Sequence, residues 1–288
     1  MIYIKNGPDN EEIEEVHIKH AGSWRRCTQV YIKQDSVWRE LLTEFIATTN
    51  TITATGSGTI TVPQGAFRVA INVKAGSGGQ GGGDGINAPS PGGLGSSLST
   101  IVSVEPFTTL NYVVGASGGN GVGYASAAAG GAGGTGHSSG GSGGNAGSAG
   151  SSGAGGGGGG SSSITMPDST ILIIAGAGSG GSGSGNQAQL SAAEARGKDS
   201  TSIVYGTSVS PSVGGNGANC GTADGGAGGG GGAGAPGGAG GLYMGSYDSD
   251  GYPGEAGVSY YNSDLIASTP TKSTNSGNGS ISFTWLTE

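Results

Sequence analysis

The stretch GSGGNAGSAGSSGAGGGGGG, residues 141–160, carries glycine at every third position from Gly141 to Gly159. A second glycine row with the same period runs from Gly225 to Gly240. Three residues per turn is the period of polyproline-type backbone, and a glycine row leaves one edge of such a helix bare. Neighbouring backbones can then approach closely enough to hydrogen-bond. The period therefore predicts a body of packed helices of this type over about 76–241.

Glycine supplies 68 of the 288 residues, whereas hydrophobic residues make up 33% and charged residues 10%. Such a composition generally favours disorder or a flexible linker, because glycine loses the most entropy on folding. Two features favour an ordered body instead. Apolar segments interrupt the glycine tracts at intervals, and the tracts hold almost no charge or proline. Collagen fits poorly, because only 10 prolines are present and no triplet is sustained across the body.

The charge and the apolar pattern exclude several classes of function. A net charge of −8 argues against binding nucleic acid through a basic surface. No apolar run approaches the roughly 20 residues of a membrane-spanning helix, so we expect no membrane insertion. The first residues lack the order of a signal peptide, which predicts synthesis in a cytoplasm. Cys27 and Cys220 lie far apart in dissimilar contexts, which predicts ordinary thiols and no disulfide.

Residues 1–44 are predicted to form a small β repeat module. A 14-residue repeat aligns three alternating segments, and its second and third units share an aromatic-basic pair. The segments are Ile2–Lys5, Val16–Lys19 and Val30–Lys33, and the pairs are Trp24-Arg25 and Trp38-Arg39. Each unit turns at a hairpin-type dipeptide: Asn6-Gly7, Ala21-Gly22 or Asp35-Ser36. We expect three short strands in a sheet too small for high stability, docking on a partner or on its own copies in an oligomer.

Strand patterns flank the glycine tracts over residues 45–288. Phe67 to Lys74 alternates apolar and polar side chains, which predicts a strand with one buried face. Strand regions are expected over 58–75, 97–114, 164–175 and 279–286, the second and third broken by turns near Pro106 and Pro167. We expect the last strand to pair with 67–74 and close the domain. Residues 186–199 interrupt the glycine as a loop, and 203–205 form a short strand.

No catalytic constellation emerges from the motifs. Gly136-His137-Ser138-Ser139-Gly140 matches the nucleophile elbow of hydrolases, but that motif needs a strand before it and a helix after it. Glycine lies on both sides here. Asp248, Asp250 and Glu255 match only part of a calcium-binding loop. We therefore predict a non-catalytic protein without a cofactor or a metal.

The composition changes after Gly241. Residues 242–264 hold five of the ten tyrosines, interleaved with acids. Tyrosine offers a large amphipathic ring at low entropic cost, which suits recognition loops. We predict a receptor-binding site formed by seven residues: Tyr243, Tyr247, Asp248, Asp250, Tyr252, Tyr260 and Tyr261. The alternative is that these tyrosines form a local core over the end of the glycine body. Tyr124 and the loop 186–199 are lesser candidates.

The order of these elements resembles the glycine-rich domains of bacteriophage tail and tail-fibre proteins. In those domains a TVP-G turn precedes a strand that ends in glycine, a VGA-GG follows a later strand, and the last strand ends near a Trp. The matching stretches are Thr61–Gly65, Val113–Gly119, Ile171–Gly176 and Gly279–Trp285. The resemblance covers about residues 45–288. The N-terminal repeat also looks like short repeats in phage virion proteins, although the N-terminal part of the fibre adhesins has no match here.

The resemblance implies an all-β fold with an irregular glycine-rich body, in which β-strands flank a bundle of packed polyglycine-II helices. It also implies a virion protein, a tail-fibre tip or tail adhesin, that binds a host surface glycan or outer-membrane protein through loops at its tip. Other virion proteins would be its attachment partners, through Trp24, Arg25, Trp38 and Arg39. Two alternatives remain open: a structural or decoration protein of the phage head or tail without receptor binding, and an ice-binding polyglycine bundle.

Overall fold

The computed structural model describes residues 2–6, 9–13, 17–20, 23–26, 29–34, 37–43, 47–124, 127–147, 152–187, 190–221, 224–245 and 248–287, with backbone alone up to residue 43. The described chain is all-β, as the sequence predicts, and eleven of its strands form two large sheets. Its only helix, α1 (Ala192–Ala195), is a single turn within the predicted loop 186–199.

The N-terminal repeat consists of three two-stranded hairpins. They are formed by β1 (Ile2–Asn6) with β2 (Asp9–Ile13), β3 (His17–His20) with β4 (Ser23–Arg26), and β5 (Gln29–Gln34) with β6 (Val37–Thr43). The expectation of one strand per unit was wrong, because the second half of each unit returns beside the first. Trp24 lies opposite Lys19 in the second hairpin, and Trp38 lies opposite Lys33 in the third. The two hairpins therefore repeat the same pairing of strand residues as well as the same sequence.

Eleven further strands form two sheets. They are β7 (Thr49–Ile52), β8 (Gly56–Thr61), β9 (Arg68–Lys74), β10 (Gly95–Ser103), β11 (Thr109–Val114), β12 (Ser162–Thr165), β13 (Ile171–Ala175), β14 (Ile203–Gly206), β15 (Ser259–Asn262), β16 (Thr271–Asn275) and β17 (Ser280–Leu286). The first sheet has the order β16-β10-β9-β17-β7, and the second has the order β14-β15-β13-β12-β11-β8. The predicted pairing of the last strand with 67–74 is confirmed by β17 beside β9.

A single apolar core joins the inner faces of the two sheets. Alternate residues of β9 and β17 point inward, and Phe283 and Trp285 are fully buried with their rings stacked at 5.7 Å. Leu110 and Ile173 of the second sheet belong to the same core. The Trp285 Nε1–H donates to Asn50 Oδ1 at 3.0 Å, so the largest side chain also satisfies its polar atom. The two sheets form a sandwich on this core.

Strands of the sandwich continue directly into the glycine segments at one end. Gly76 follows the end of β9, and β10, β12 and β15 begin where other glycine segments stop. β7 starts with Thr49 opposite Thr284, near the far end of β17. The chain therefore enters the sandwich at the end remote from the glycine segments. We call that end the base, and we call the turns of the glycine segments farthest from the sandwich the distal end.

Three inner glycine segments, 152–161, 175–185 and 225–235, are buried along their whole length. Successive N–H groups of 152–161 donate in turn to three neighbours, so each neighbour is reached by every third residue. The carbonyl groups of 152–161 accept hydrogen bonds, in the same three-residue rotation, from three further neighbouring segments. The neighbours are 178–184, 116–122, 138–144, 76–82, 131–137 and 227–233, with N···O distances between 2.7 and 3.2 Å. The other two inner segments also have six bonded neighbours each. Backbone pairing thus replaces side-chain packing in this region.

The inner segments contain only glycine, alanine and serine because neighbouring carbonyls occupy the space of larger side chains. A Cβ atom on Gly155 would overlap the carbonyl of Gly228, and one on Gly158 would overlap that of Gly231. The same is true of Gly251, Gly254 and Gly257. We call the packed glycine segments together the bundle. Gly251, Gly254 and Gly257 extend this bundle to 249–258, beyond the predicted limit at 241. Most of the predicted tyrosine-rich loop 242–264 is therefore a bundle segment followed by β15.

Asparagine side chains complete the hydrogen bonding at the edge of the bundle. Outer segments have neighbours on only part of their circumference, so some of their N–H groups face away from other backbone. Asn120 accepts from the N–H of Gln80 at 2.9 Å, and Asn216 accepts from that of Ser142 at 3.0 Å. Asn145 and Asn219 accept in the same way. The amide oxygen thus substitutes for a missing neighbouring carbonyl.

Replacing Asn216 with Ala should lower the free energy of unfolding by about 0.5–1 kcal/mol, because the Ser142 N–H loses its acceptor. Urea unfolding measures the change. Asn216→Asp, which keeps an acceptor oxygen, should lose less. Equal stability of the Ala variant and the native protein would contradict a stabilising role for this bond.

Candidate receptor-binding surface

Buried aspartates hold the turns at the distal end. Asp84 is 1% exposed, and its carboxylate accepts the N–H of Ile86 at 2.9 Å and that of Asn87. Asp250 is 4% exposed and accepts the N–H of Gly185 at 2.8 Å and that of Leu190 at 2.9 Å. Charge-assisted bonds of this kind are about twice as strong as neutral ones. Asp84 therefore fixes the turn 84–87, and Asp250 fixes Gly185 and Leu190, at the ends of the glycine segments.

The structure separates the seven predicted site residues. Tyr260 and Tyr261 lie in β15 and are buried, and Asp250 is the turn-holding carboxylate described above. Tyr260 and Tyr261 are therefore core residues of the sandwich and its second sheet, and not a separate local core over the end of the glycine body. Tyr252 is 43% exposed, and Tyr243 is half-buried and bridges to Gly251. The structure thus brings Tyr243, Asp248, Asp250 and Tyr252 to the distal part of the bundle, whereas Tyr247 lies outside the described residues.

Tyr260 and Tyr261 serve the sandwich. The Tyr260 hydroxyl donates to the carbonyl of Gly206 at 2.8 Å, which ties β15 to the edge strand β14. Burial, with a smaller contribution from the Asp264 charge, raises the pKa of Tyr260, so its hydroxyl remains a donor. The Tyr261 ring stacks on Tyr205 with centroids 5.8 Å apart. Neither ring presents a face to a receptor.

Four exposed apolar side chains lie at and near the distal end, whereas others, such as Phe67 and Phe107, lie at the base. Ile86 is 80% exposed, Tyr124 67%, Leu242 68% and Val122 49%. The Tyr124 ring lies against Gly85, where an added Cβ atom would overlap the ring. The backbone N–H of Tyr124 donates to the carbonyl of Gly83 at 2.9 Å. Sequence patterns gave Tyr124 only as a lesser candidate and missed Ile86 and Leu242. An isolated apolar residue inside a glycine turn is the signal that identifies them.

Left-handed backbone marks the same turns. Tyr124, Ala127 and Asp248 have φ of 47°, 51° and 62°, a region that L-residues with side chains rarely occupy. The Oδ1 atom of Asp248 is buried and has no hydrogen-bond partner among the described residues. Such strain costs on the order of 1–3 kcal/mol per residue and is concentrated at functional sites. Phe107 and Ser169 have φ of 68° and 70° in turns away from the distal end, so left-handed backbone is not confined to it.

The remaining predicted residues and motifs lie elsewhere. Trp24-Arg25 and Trp38-Arg39 occupy equivalent backbone positions in the second and third hairpins. Ser138 of the elbow-like motif is buried between glycine segments, its N–H donates to Ser161 Oγ at 3.0 Å, and burial lowers the pKa of the neighbouring His137. No helix in the described part of the chain is long and apolar enough to cross a bilayer. The residues that the structure describes also contain no cluster of three or more side chains that could together bind a metal ion.

Comparison of the chain with protein-family models and with curated proteins finds no match.

Proposed function

We propose that this chain is a bacteriophage virion protein, a tail-fibre tip or tail adhesin that binds a host surface receptor without catalysis. Its glycine segments are packed polyglycine-II helices that mount the distal turns rigidly. The proposal has three supports: the bonding of the glycine segments, the polarity of the chain, and the residues exposed at the distal end.

The hydrogen-bonding period supports polyglycine-II helices. Left-handed helices with three residues per turn have no internal hydrogen bonds and direct successive N–H groups 120° apart. The segment 152–161 donates to three neighbours in strict rotation and accepts from three more. Six neighbours around each inner segment are what hexagonal packing of such helices requires. A bundle bonded in this way holds its turns with little freedom, which suits a mount for recognition.

The direction in which the chain runs through the molecule supports attachment at one end and recognition at the other. The chain reaches the sandwich from its N-terminal hairpins at the base, where β7 begins. β17 ends at the base as well, so residue 286 lies far from the distal turns. We assign virion attachment to residues 1–44, with Trp24, Arg25, Trp38 and Arg39 as candidate contacts with other virion proteins. The distal end is then free to face a host cell.

The observation that carries the proposal is the exposure of Ile86, Tyr124 and Leu242 at the distal end. Large exposed apolar groups are costly in water, and neighbouring ones mark binding surfaces. Ile86 and Tyr124 line one pocket, and Leu242 lines another beside Tyr252. Here they stand on turns whose backbone is fixed by Asp84 and by the glycine segments. Aromatic and aliphatic anchors on a rigid support lose little entropy on binding, which favours recognition.

Fluorescently labelled protein should stain the surface of susceptible bacteria and block phage adsorption to them. The triple variant Ile86→Ser, Tyr124→Ser, Leu242→Ser should lose at least about tenfold in cell affinity, because truncating a few anchor residues commonly removes most of the binding energy. Flow cytometry over a panel of bacterial strains measures the affinity. Circular dichroism checks that the variant is folded.

The matched control is Tyr205→Ser with Val213→Ser, which removes exposed apolar groups away from the distal turns, 72% and 66% exposed. It should bind cells as the native protein does. If native protein stains no strain but antibody against residues 1–42 labels phage particles, the chain is a structural or decoration protein without receptor binding. Unchanged staining by the triple variant would remove the distal turns as the site.

A further inference from the structure

A groove runs along the flank of the bundle, with residues 190–202 on one side and residues 240–242 and 252–258 on the other. Its distal compartment has a volume of about 520 Å³, and a second compartment of about 370 Å³ continues toward the sandwich. Lys198 and Glu255 line both compartments, so the two adjoin. The distal volume lies within the range of small-molecule sites, roughly 300–1,000 Å³. The groove is therefore elongated and large enough for a chain-like ligand.

The distal compartment offers an aromatic ring beside aliphatic walls. Tyr252 is 43% exposed there, and Leu190 and Leu242 line the same space. The backbone of Gly240 and Gly241 supplies a wall without side chains. Neither the N–H nor the C=O of Gly240 has a hydrogen-bond partner among the described residues. An exposed tyrosine face beside unpaired backbone groups suits a ligand with one apolar face and polar edges.

Charged groups stand on both sides of this compartment. The Glu194 carboxylate accepts from the N–H and the Oγ of Ser191 at 2.9 and 2.7 Å, and the hydroxyl bond chiefly lowers its pKa. Glu194 is therefore an ionised acceptor held in one place. Exposed Glu255 adds a second carboxylate, and Lys198 adds a donor. Two acceptors and one donor match the hydroxyl edges of a sugar.

The second compartment continues the same chemistry without aromatic rings. Thr201 and Ser202 line it with hydroxyl groups, together with Asp199. Asp199 already accepts from Arg196 and from the N–H of Leu94, each at 2.7 Å, so its position is fixed. Polar groups thus follow the aromatic subsite along the groove. A repeating polar ligand would find partners over its length.

We propose that this groove binds a linear neutral oligosaccharide, with one sugar stacked on Tyr252 and the next units running past Lys198 and Glu255 toward Ser202. This assignment rests on the proposed adhesin function and names its receptor class. Leu242 lines the groove and also belongs to the distal residues of that proposal, so the two sites adjoin. Two carboxylates against one ammonium disfavour phosphorylated or sialylated glycans. A purely apolar peptide would bury these charged groups without partners, which is costly.

Binding of the full-length protein to an array of short defined oligosaccharides tests the proposal. The array carries neutral hexose and N-acetylhexosamine chains with their sialylated and phosphorylated counterparts. Neutral chains should bind, and the acidic counterparts should bind more weakly. Tyr252→Ala should weaken the Kd by about tenfold, Tyr252→Phe should retain it, and Glu255→Gln should weaken it less than Tyr252→Ala does. Tyr205→Ala is the matched control and should bind normally.

Cell staining run in parallel separates the two proposals. Native protein that stains cells while no neutral oligosaccharide binds, or while Tyr252→Ala stains equally, would overturn the groove and leave the adhesin proposal intact. Preference for acidic glycans would also overturn the groove as assigned. Oligosaccharide binding that Tyr252→Ala removes, without staining of any strain, would support the groove and contradict the adhesin function.

Discussion

Gly158→Ala should lower the free energy of unfolding by about 1–3 kcal/mol, and Gly158→Val by more, because the added methyl groups overlap the Gly231 carbonyl. Gly158 lies in an inner segment with backbone on all sides, so no flexible side chain can move aside. The loss corresponds to a shift in Tm of about 2–4 °C per kcal/mol for a chain of this size. Thermal and urea unfolding followed by circular dichroism measure it.

Gly221→Ala provides the matched control for Gly158→Ala. Gly221 lies in the same bundle but is exposed, and a Cβ atom there meets open space. The change should stay within about 0.5 kcal/mol of the native protein, or stabilise it slightly by restricting the unfolded chain. An equal loss in both variants would mean that glycine is needed for its backbone freedom. The packing explanation would then be wrong.

Phe283→Ala should cost about 3–5 kcal/mol, the usual cost of truncating a fully buried phenylalanine. Phe283 is 0% exposed, stacks on Trp285 and lies in β17 beside β9, whose end continues into the bundle. Loss of the sandwich should therefore release the glycine segments too. We expect a single, earlier unfolding transition in a calorimetric scan.

Phe67→Ala is the same substitution at a side chain that is 52% exposed. It should change the unfolding free energy by less than about 1 kcal/mol, because little burial is lost. Two separate calorimetric transitions in Phe283→Ala, with the later one unmoved, would show that the bundle is stable without the sandwich. That result would contradict the coupling argued from the continuous strands.

Sequence patterns predicted several strands of the sandwich because they obey ordinary alternation, but β7, β15 and β16 were not predicted. The residues of β9 point alternately into and out of the core, and β17 pairs with it as expected. Period-three glycine marked two of the three inner segments, 152–161 and 225–235. The same period at Gly251, Gly254 and Gly257 was missed because the stretch is rich in tyrosine. The tyrosine content of this stretch led to the prediction of a loop. The spacing of the glycines, and not the residues between them, decides what that stretch forms.

The candidate surface was only partly predictable. Tyr252 came from its composition, but Tyr260 and Tyr261 look the same in sequence and are buried by pairing with β13 and β14. The difference arises from contacts with Ile173, Ile174 and the residues of β14, distant along the chain. Ile86 and Leu242 are isolated apolar residues within glycine turns, but only the bundle geometry places them near the distal end. Long-range packing, which no local pattern encodes, therefore sets which apolar residues are exposed.

The rotation of N–H groups among neighbours imposes a rule on how the length of this chain can change. Moving a glycine segment along its axis by three residues returns every donor to the same neighbour, whereas a shift of one residue turns each donor toward a different one. Insertions of three residues, matched on adjoining segments, would lengthen the bundle and leave its bonding intact. Single insertions within a segment would disrupt it. Variants of such a scaffold should therefore differ freely in their distal turns and in steps of three elsewhere.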